Sequence, residues 1–233
     1  MPDAAPAPRG AALPIGLRNR LAELILDAFD RAEARETLAA LGAFCRSADG
    51  VVGAGTAARL ATTGWFESAG PGRVRLLGAH RAHREALCRR AAAAAGMFAA
   101  RPALPGGRGL AGLLERAALL AGAGLYFEVH EWLEPAWIRA EGAERTALQG
   151  LIQVAVGLHH AQQRNREGAI SLLTEGLAKL EHARPALPLD TAAWEGGLVA
   201  AVAALRDGKA APPVPAWPCP GRRSPREAAW RSS

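Results

Sequence analysis

Aromatic residues are scarce in this chain, at 5% of 233 positions, and half of them are tryptophan. β-Branched residues are few as well, whereas Ala and Leu abound. Both shortages disfavour sheet and favour helices. Cysteine is limited to Cys45, Cys88 and Cys219, widely spaced and without a C-x-x-C pair. A disulfide framework is therefore not expected, and a reducing cytoplasm fits. No apolar run approaches the ~20 residues of a membrane-spanning helix, so no membrane partner is expected. The opening "MPDAAPAPRG" lacks the basic start and apolar stretch of a signal peptide.

Several catalytic signatures are also missing. There is no P-loop, no G-x-S-x-G and no H-E-x-x-H. "GAGTAA", Gly53 to Ala58, fits a dinucleotide fingerprint as a string. Only Val51 and Val52 could form the strand before it, too little for a βαβ unit. His80, His83 and Cys88 stand among arginines with no fourth ligand at finger spacing, and read as a solvated basic helix.

What is present is a hydrophobic half, ample for a core in one or two domains. The formal net charge is +6. It is unevenly placed: residues 1–108 hold 15 Arg and 9 acids, a balance of +6, whereas residues 109–233 hold 13 of each sign. Such asymmetry fits either a polyanion partner or a solvated basic face.

Apolar spacing and turn residues divide the chain. Residues 1–13 are Pro/Ala-rich and read as disordered. Residues 14–100 form a basic, mainly helical domain. "LRNRLAELILDAFDRAEA" is its first helix, with Leu17, Leu21, Leu24, Ile25 and Phe29 on one face, and "RETLAALGAFC" is the second. "TAARLATTGWF" is a short third, and "ESAGPGRVRLLG" a glycine turn with a basic strand. This is the order of a winged helix, in which Arg59, Arg73 and Arg75 would meet nucleic-acid phosphates. The alternative is a plain helical subdomain with one hairpin. "RPALPGGRG", 101–109, reads as a linker. Residues 110–206 predict an all-α bundle of about five helices, with Asn165 and Asp190 at helix starts. Residues 207–233 are Pro-rich and basic, and read as a disordered tail.

The chemistry concentrates in "LYFEVHEWLEPAW", Leu125 to Trp137. At 100° per residue, Tyr126, His130, Glu134 and Trp137 share one helical stripe. Gln149, Gln153, Val156 and His160 share another on the next helix. A short loop makes the two helices antiparallel neighbours, so facing residues sum to about 285–287. Tyr126 then lies level with His160, Glu134 with Gln153, and Trp137 with Gln149. The result is a polar seam whose buried groups need partners.

From about 110 to 205 the sequence resembles the bacterial and archaeal family catalogued as domain of unknown function 309. The motif His-x-x-x-Glu-x-x-Trp falls on His130, Glu134 and Trp137. "QGLIQVAVGLHH" supplies Gln149, Gly150, Gln153 and His160, and "NREGA" supplies Asn165, Gly168 and Ala169. "AGAGLY" lacks the Asn common before the tyrosine. The resemblance implies an all-helical fold and a motif for which metal binding has been suggested.

Two readings of the seam follow. In the first it is structural: Glu134 accepts from Gln153 and Trp137, and His130 and His160 pair with Glu128, Tyr126 or backbone. In the second, His130 and Glu134, supported by His160 or Glu128, bind a divalent metal or act as an acid–base pair. Pro135 cannot donate to the Glu131 carbonyl and should kink the helix there. The functional expectation is a cytoplasmic binding or regulatory protein, with nucleic acid at the basic half and a protein partner or ligand at the bundle. The alternative is a metal-dependent, hydrolytic enzyme using His130 and Glu134.

Overall fold

The structure, a computed structural model, describes residues 12–101, 109–210 and 212–220. The expected disordered start falls almost wholly outside these residues, as does most of the expected linker. The chain divides into two compact units, Met1–Pro102 and Ala103–Ser233. Apart from one two-stranded hairpin, every regular element described is helical.

In the first unit, helix α1 (Ile15–Asp27) buries Leu17, Leu21, Ala22 and Ile25, the stripe expected from apolar spacing. The helix stops there rather than running on through Ala34, and α2 begins at Ala32. Arg35 bridges the break: its guanidinium donates to the carbonyls of Ala28 and Phe29, two acceptors the helix end leaves open. Helix α2 (Ala32–Arg46) packs on α4 (Arg84–Ala99). Small residues allow the approach, with Ala91 and Ala94 fully buried.

That packing brings Cys45 and Cys88 together, and they are disulfide-bonded, with Cα atoms 5.4 Å apart. The expectation of unbonded cysteines is thus corrected for this pair. A separation of 43 residues says nothing about distance once two helices lie side by side. Cys219 is half-buried.

Helix α3 (Ala54–Ala61) leads into the hairpin of β1 (Phe66–Gly70) and β2 (Arg73–Leu76). Phe66 pairs with Leu76 and Glu67 with Arg75, with an irregularity at Ser68/Gly70. β2 alternates strictly: Val74 and Leu76 are buried, Arg73 and Arg75 exposed. The helix–helix–helix–hairpin order is the expected one. The α2–α3 connection is longer than the short turn of a helix-turn-helix: residues 47–53 separate the two helices, and Val51 forms an isolated bridge to Arg73. Gly50 makes that approach at φ 78, where a Cβ would lie 2.1 Å from the Val74 carbonyl oxygen.

The second unit is a bundle of α5 (Gly109–Gly122), α6 (Tyr126–Arg139), α7 (Gly142–Gln162), α8 (Arg166–Ala183) and α9 (Ala192–Arg206). Its tightest seam is between α7 and α8. A Cβ on Gly176 would lie 2.8 Å from the Gly150 carbonyl oxygen, and one on Gly157 2.8 Å from Leu173 Cγ. Helix backbones this close leave no room for larger residues. α6 continues as helix through Pro135 to Arg139. No described helix is long and apolar enough to cross a membrane.

Part of the expected disordered tail is ordered. Trp217 is buried, with its ring 4.7 Å from that of Trp194 on α9. The Pro215 ring occupies the space a side chain on Gly197 would need. Gly197 in α9 thus makes room for the Pro/Trp strap, a pairing no helical period reveals. Residues 221–233 lie outside the described residues.

Candidate functional site

The α6–α7 hairpin has the register its short turn implies. The rings of Phe127 and His159 are 5.8 Å apart, and Gln162 donates to the Gly124 carbonyl at 2.8 Å. Both pairs sum to 286, within the expected range. The level of each side chain was therefore legible, but its direction was not.

His130 is half-buried. Its Nδ1 lies 3.1 Å from Glu131 Oε1, and its Nε2 lies 3.9 Å from Glu134 Oε1. The ring thus stands between two carboxylates of its own helix, with Nε2 on the side of Glu134. Gln153 does not bond Glu134. Its Nε2 donates to Glu175 Oε2 on α8 at 2.9 Å, and Ser171 donates to the other oxygen of that carboxylate, also at 2.9 Å. Trp137 does not donate to Glu134 either: among the described residues its buried Nε1 has no acceptor, as Gln153 Oε1 has no donor. The indole face is covered by Arg145, whose guanidinium carbon stands 4.6 Å from the ring centre. Arg145 also donates to the carbonyls of Trp137, Ile138 and Ala140, closing the C-terminus of α6.

The other stripe members are scattered. Tyr126 is half-buried, and burial pushes its phenol above the usual tyrosine range. Glu128 is fully buried in the first turn of α6. Gln149 is half-buried. His160 turns to the α7–α8 turn. Asn165 caps α8 by accepting from the Gly168 amide at 3.1 Å, which fixes its side-chain amide and points Nδ2 at His160 Nδ1, 2.8 Å away. Nδ2 can only donate, so Nδ1 of His160 is the acceptor and its proton sits on Nε2. A Cβ on Gly168 would crowd this pair, lying 2.9 Å from Asn165 Nδ2 and 3.0 Å from His160 Nδ1.

The seam as the structural reading drew it is therefore split between two interfaces. The cause is angular: α7 has neighbours on two sides, α6 and α8, and Gln153 lies at the border and turns to α8. Among the described residues, no three His, Cys, Asp or Glu side chains stand close enough to hold a metal ion. His130, Glu134 and His160 do not form a three-ligand set in this conformation, because His160 is engaged at the far turn.

Sequence reasoning missed four residues of the site: Glu131, Arg145, Glu175 and Ser171. Glu131 adjoins His130 in the chain, and that adjacency was signal enough to find it. Glu175 and Ser171 belong to a helix whose angular position no pairwise hairpin argument gives.

The arginines expected to meet nucleic acid all have carboxylate partners. Arg59 pairs with Glu36, Arg73 with Asp49 at 3.4 Å, and Arg75 with Glu67 at 2.8 Å. Arg81 also reaches Glu67, at 3.1 Å. Hydrogen bonds from Arg75 and Arg81 hold the Glu67 carboxyl below its ordinary range. That of Asp49 is lowered chiefly by the Val51 amide and the Ser47 hydroxyl, and less by Arg73.

No curated protein and no solved structure matches the chain. The family model described as domain of unknown function (DUF309) matches residues 114–172, from α5 through the His130 and Gln153 helices into α8, within the stretch that resembles that family in sequence.

Proposed function

We propose that the protein is a non-catalytic binding protein that holds nucleic acid through its N-terminal unit and a protein partner through the bundle. The observation that carries the first half is the alternation of β2, which turns Arg73 and Arg75 outward while Val74 and Leu76 anchor the strand. The hairpin tip is set against the start of α3, where a Cβ on Gly72 would lie 3.3 Å from Gly53 Cα. Helix and hairpin thus form one surface with Arg59 beside it. The carboxylate partners do not oppose this reading. Exposed ion pairs contribute only about 0–1 kcal/mol, so phosphates can replace them while counterion release drives binding.

Titration of duplex DNA and of RNA with the full chain at several salt concentrations tests the proposal. Binding should weaken with salt, and the triple variant R59A/R73A/R75A should flatten the log–log slope by roughly 0.9 for each duplex phosphate it no longer neutralises. No binding at low salt, or an unchanged slope in the variant, would refute it.

A second reading is favoured by one observation. His130 Nε2 lies 3.9 Å from Glu134 Oε1 across one helix turn, with Glu131 Oε1 3.1 Å from Nδ1, so a cation could be shared by Nε2 and Glu134. Two ligands from one helix turn would hold a divalent metal weakly, with water or substrate completing its shell, and a hydrolytic role would follow. Calorimetry with zinc and manganese decides this reading. Stoichiometric binding lost in both H130A and E134A would support it, and the absence of binding would end it.

A further inference from the structure

We propose that the open cavity at the turn between α7 and α8 binds a small phosphorylated molecule through Arg164, Arg166 and Arg206. The cavity is of about 570 Å³ and is lined by these three arginines with Asn165, Glu167 and Ile170. Small-molecule sites have volumes of roughly 300–1,000 Å³. Three guanidinium groups against one carboxylate make the wall positive.

The arginines differ from those of the N-terminal unit in what holds them. Arg166 donates through Nη2 to the Arg206 carbonyl, and Arg206 donates through Nη2 to Thr174 Oγ1 at 3.2 Å. Both acceptors are neutral, so the guanidinium groups are fixed without loss of charge, and each keeps further N–H donors. Among the described residues, no carboxylate forms an ion pair with Arg164, Arg166 or Arg206.

Arg164 is the non-glycine residue with positive φ among the described residues, at 60°. An L-residue there costs about 1–2 kcal/mol, and asparagine or glycine would fit better. A charged side chain is thus kept at a position whose backbone disfavours it, beside two other cations. An anion between them removes the mutual repulsion, and planar guanidinium groups match phosphate oxygens in pairs. The nearby helix start is not the binding element, because the Gly168 amide is already taken by Asn165. Ile170 supplies an apolar wall for the organic part of the ligand.

The test titrates the full chain with inorganic pyrophosphate, following binding by calorimetry and by amide chemical shifts. We expect one saturable site with Kd of about 1 mM or tighter, with shifts at residues 164–170. R164N suits the backbone and should stay folded while losing affinity about tenfold; R206Q should lose a similar factor. R139Q, at an exposed arginine outside the cavity, should bind as the parent does. Absence of shifts at 164–170 overturns the proposal, as does an equal loss in R139Q, which would mean diffuse attraction. A single-stranded oligonucleotide that displaces pyrophosphate from these amides would assign the cavity to nucleic acid instead and overturn it as well.

Discussion

The arginines at the two candidate surfaces are held differently, although elsewhere Arg35 and Arg84 of the N-terminal unit donate to carbonyls and Arg184 of the bundle pairs with Glu195. In the N-terminal unit Arg59, Arg73, Arg75, Arg81 and Arg89 each meet a carboxylate. In the bundle Arg145, Arg166 and Arg206 donate to backbone carbonyls or a hydroxyl. The first arrangement screens a basic surface until a polyanion competes for it. The second locks cations in place and leaves their charge uncancelled. The units also cohere differently: α2 and α4 are joined by a covalent bond, whereas α7 and α8 rely on glycines that let the backbones touch.

One large expected effect breaks the glycine contact. Gly176→Val places its Cβ 2.8 Å from the Gly150 carbonyl oxygen and 2.9 Å from Val154 Cγ2, and backbone cannot yield as a side-chain end can. Overpacking of this kind costs about 1–3 kcal/mol and occasionally more. Urea denaturation should show the bundle transition moved to lower denaturant while the N-terminal unit keeps its own. A single shift shared by both units would contradict the division.

The corresponding cut in the N-terminal unit is C45S/C88S. Closing a loop of 43 residues stabilises by roughly 3–4 kcal/mol in the chain-entropy account, and measured gains are often smaller. The double variant, or the reduced parent, should lose about 2 kcal/mol or more in that unit alone. Alkylation and intact mass of protein taken directly from cells would show whether the bond exists there, since a reducing compartment would keep the two thiols apart.

These two contrasts mark what was legible in the sequence. The helices could be read because α1 through α9 rest on local apolar spacing, and the α6–α7 register because a short turn fixes it. Asn165 announced its cap correctly. Asp190 did so less well: Thr191 is the N-cap of α9, although Asp190 Oδ1 accepts from the Ala192 amide at 3.3 Å. The cysteine bond, the Trp194–Trp217 stack and the Gln153–Glu175 bond all join elements whose relative rotation depends on the whole packing. Placing Tyr126, His130, Glu134 and Trp137 on one stripe is sound helical geometry. What that geometry omits is that the stripe on the next helix turns only partly towards it.

A smaller effect tests the far turn of the bundle. Asn165→Ala removes the cap of α8 and the donor to His160 Nδ1, and should cost about 1 kcal/mol. The Nδ1 and Nε2 shifts of His160 report it directly: the parent should show the Nε2–H tautomer, and the variant a mixture. A parent that already shows a mixture would mean that Asn165 does not hold the imidazole.

The smallest effect bears on the paired arginines. The Glu67 carboxyl is lowered by hydrogen bonds from Arg75 and then Arg81. A lowered folded-state value means the group stabilises the fold above its unfolded value near 4.5, and that this contribution is lost as pH falls through the folded value. Glu67→Gln should therefore flatten the stability profile below about pH 4.5, slightly, because the pair is exposed. At neutral pH the same variant frees two cations beside β2. It should tighten salt-dependent nucleic-acid binding and steepen its salt slope if Arg75 meets phosphate, since the competing carboxylate is gone. Binding that is unchanged or weakened would mean that Arg75 serves only its partner in the hairpin. The contrast between screened and uncancelled arginines would then no longer describe function.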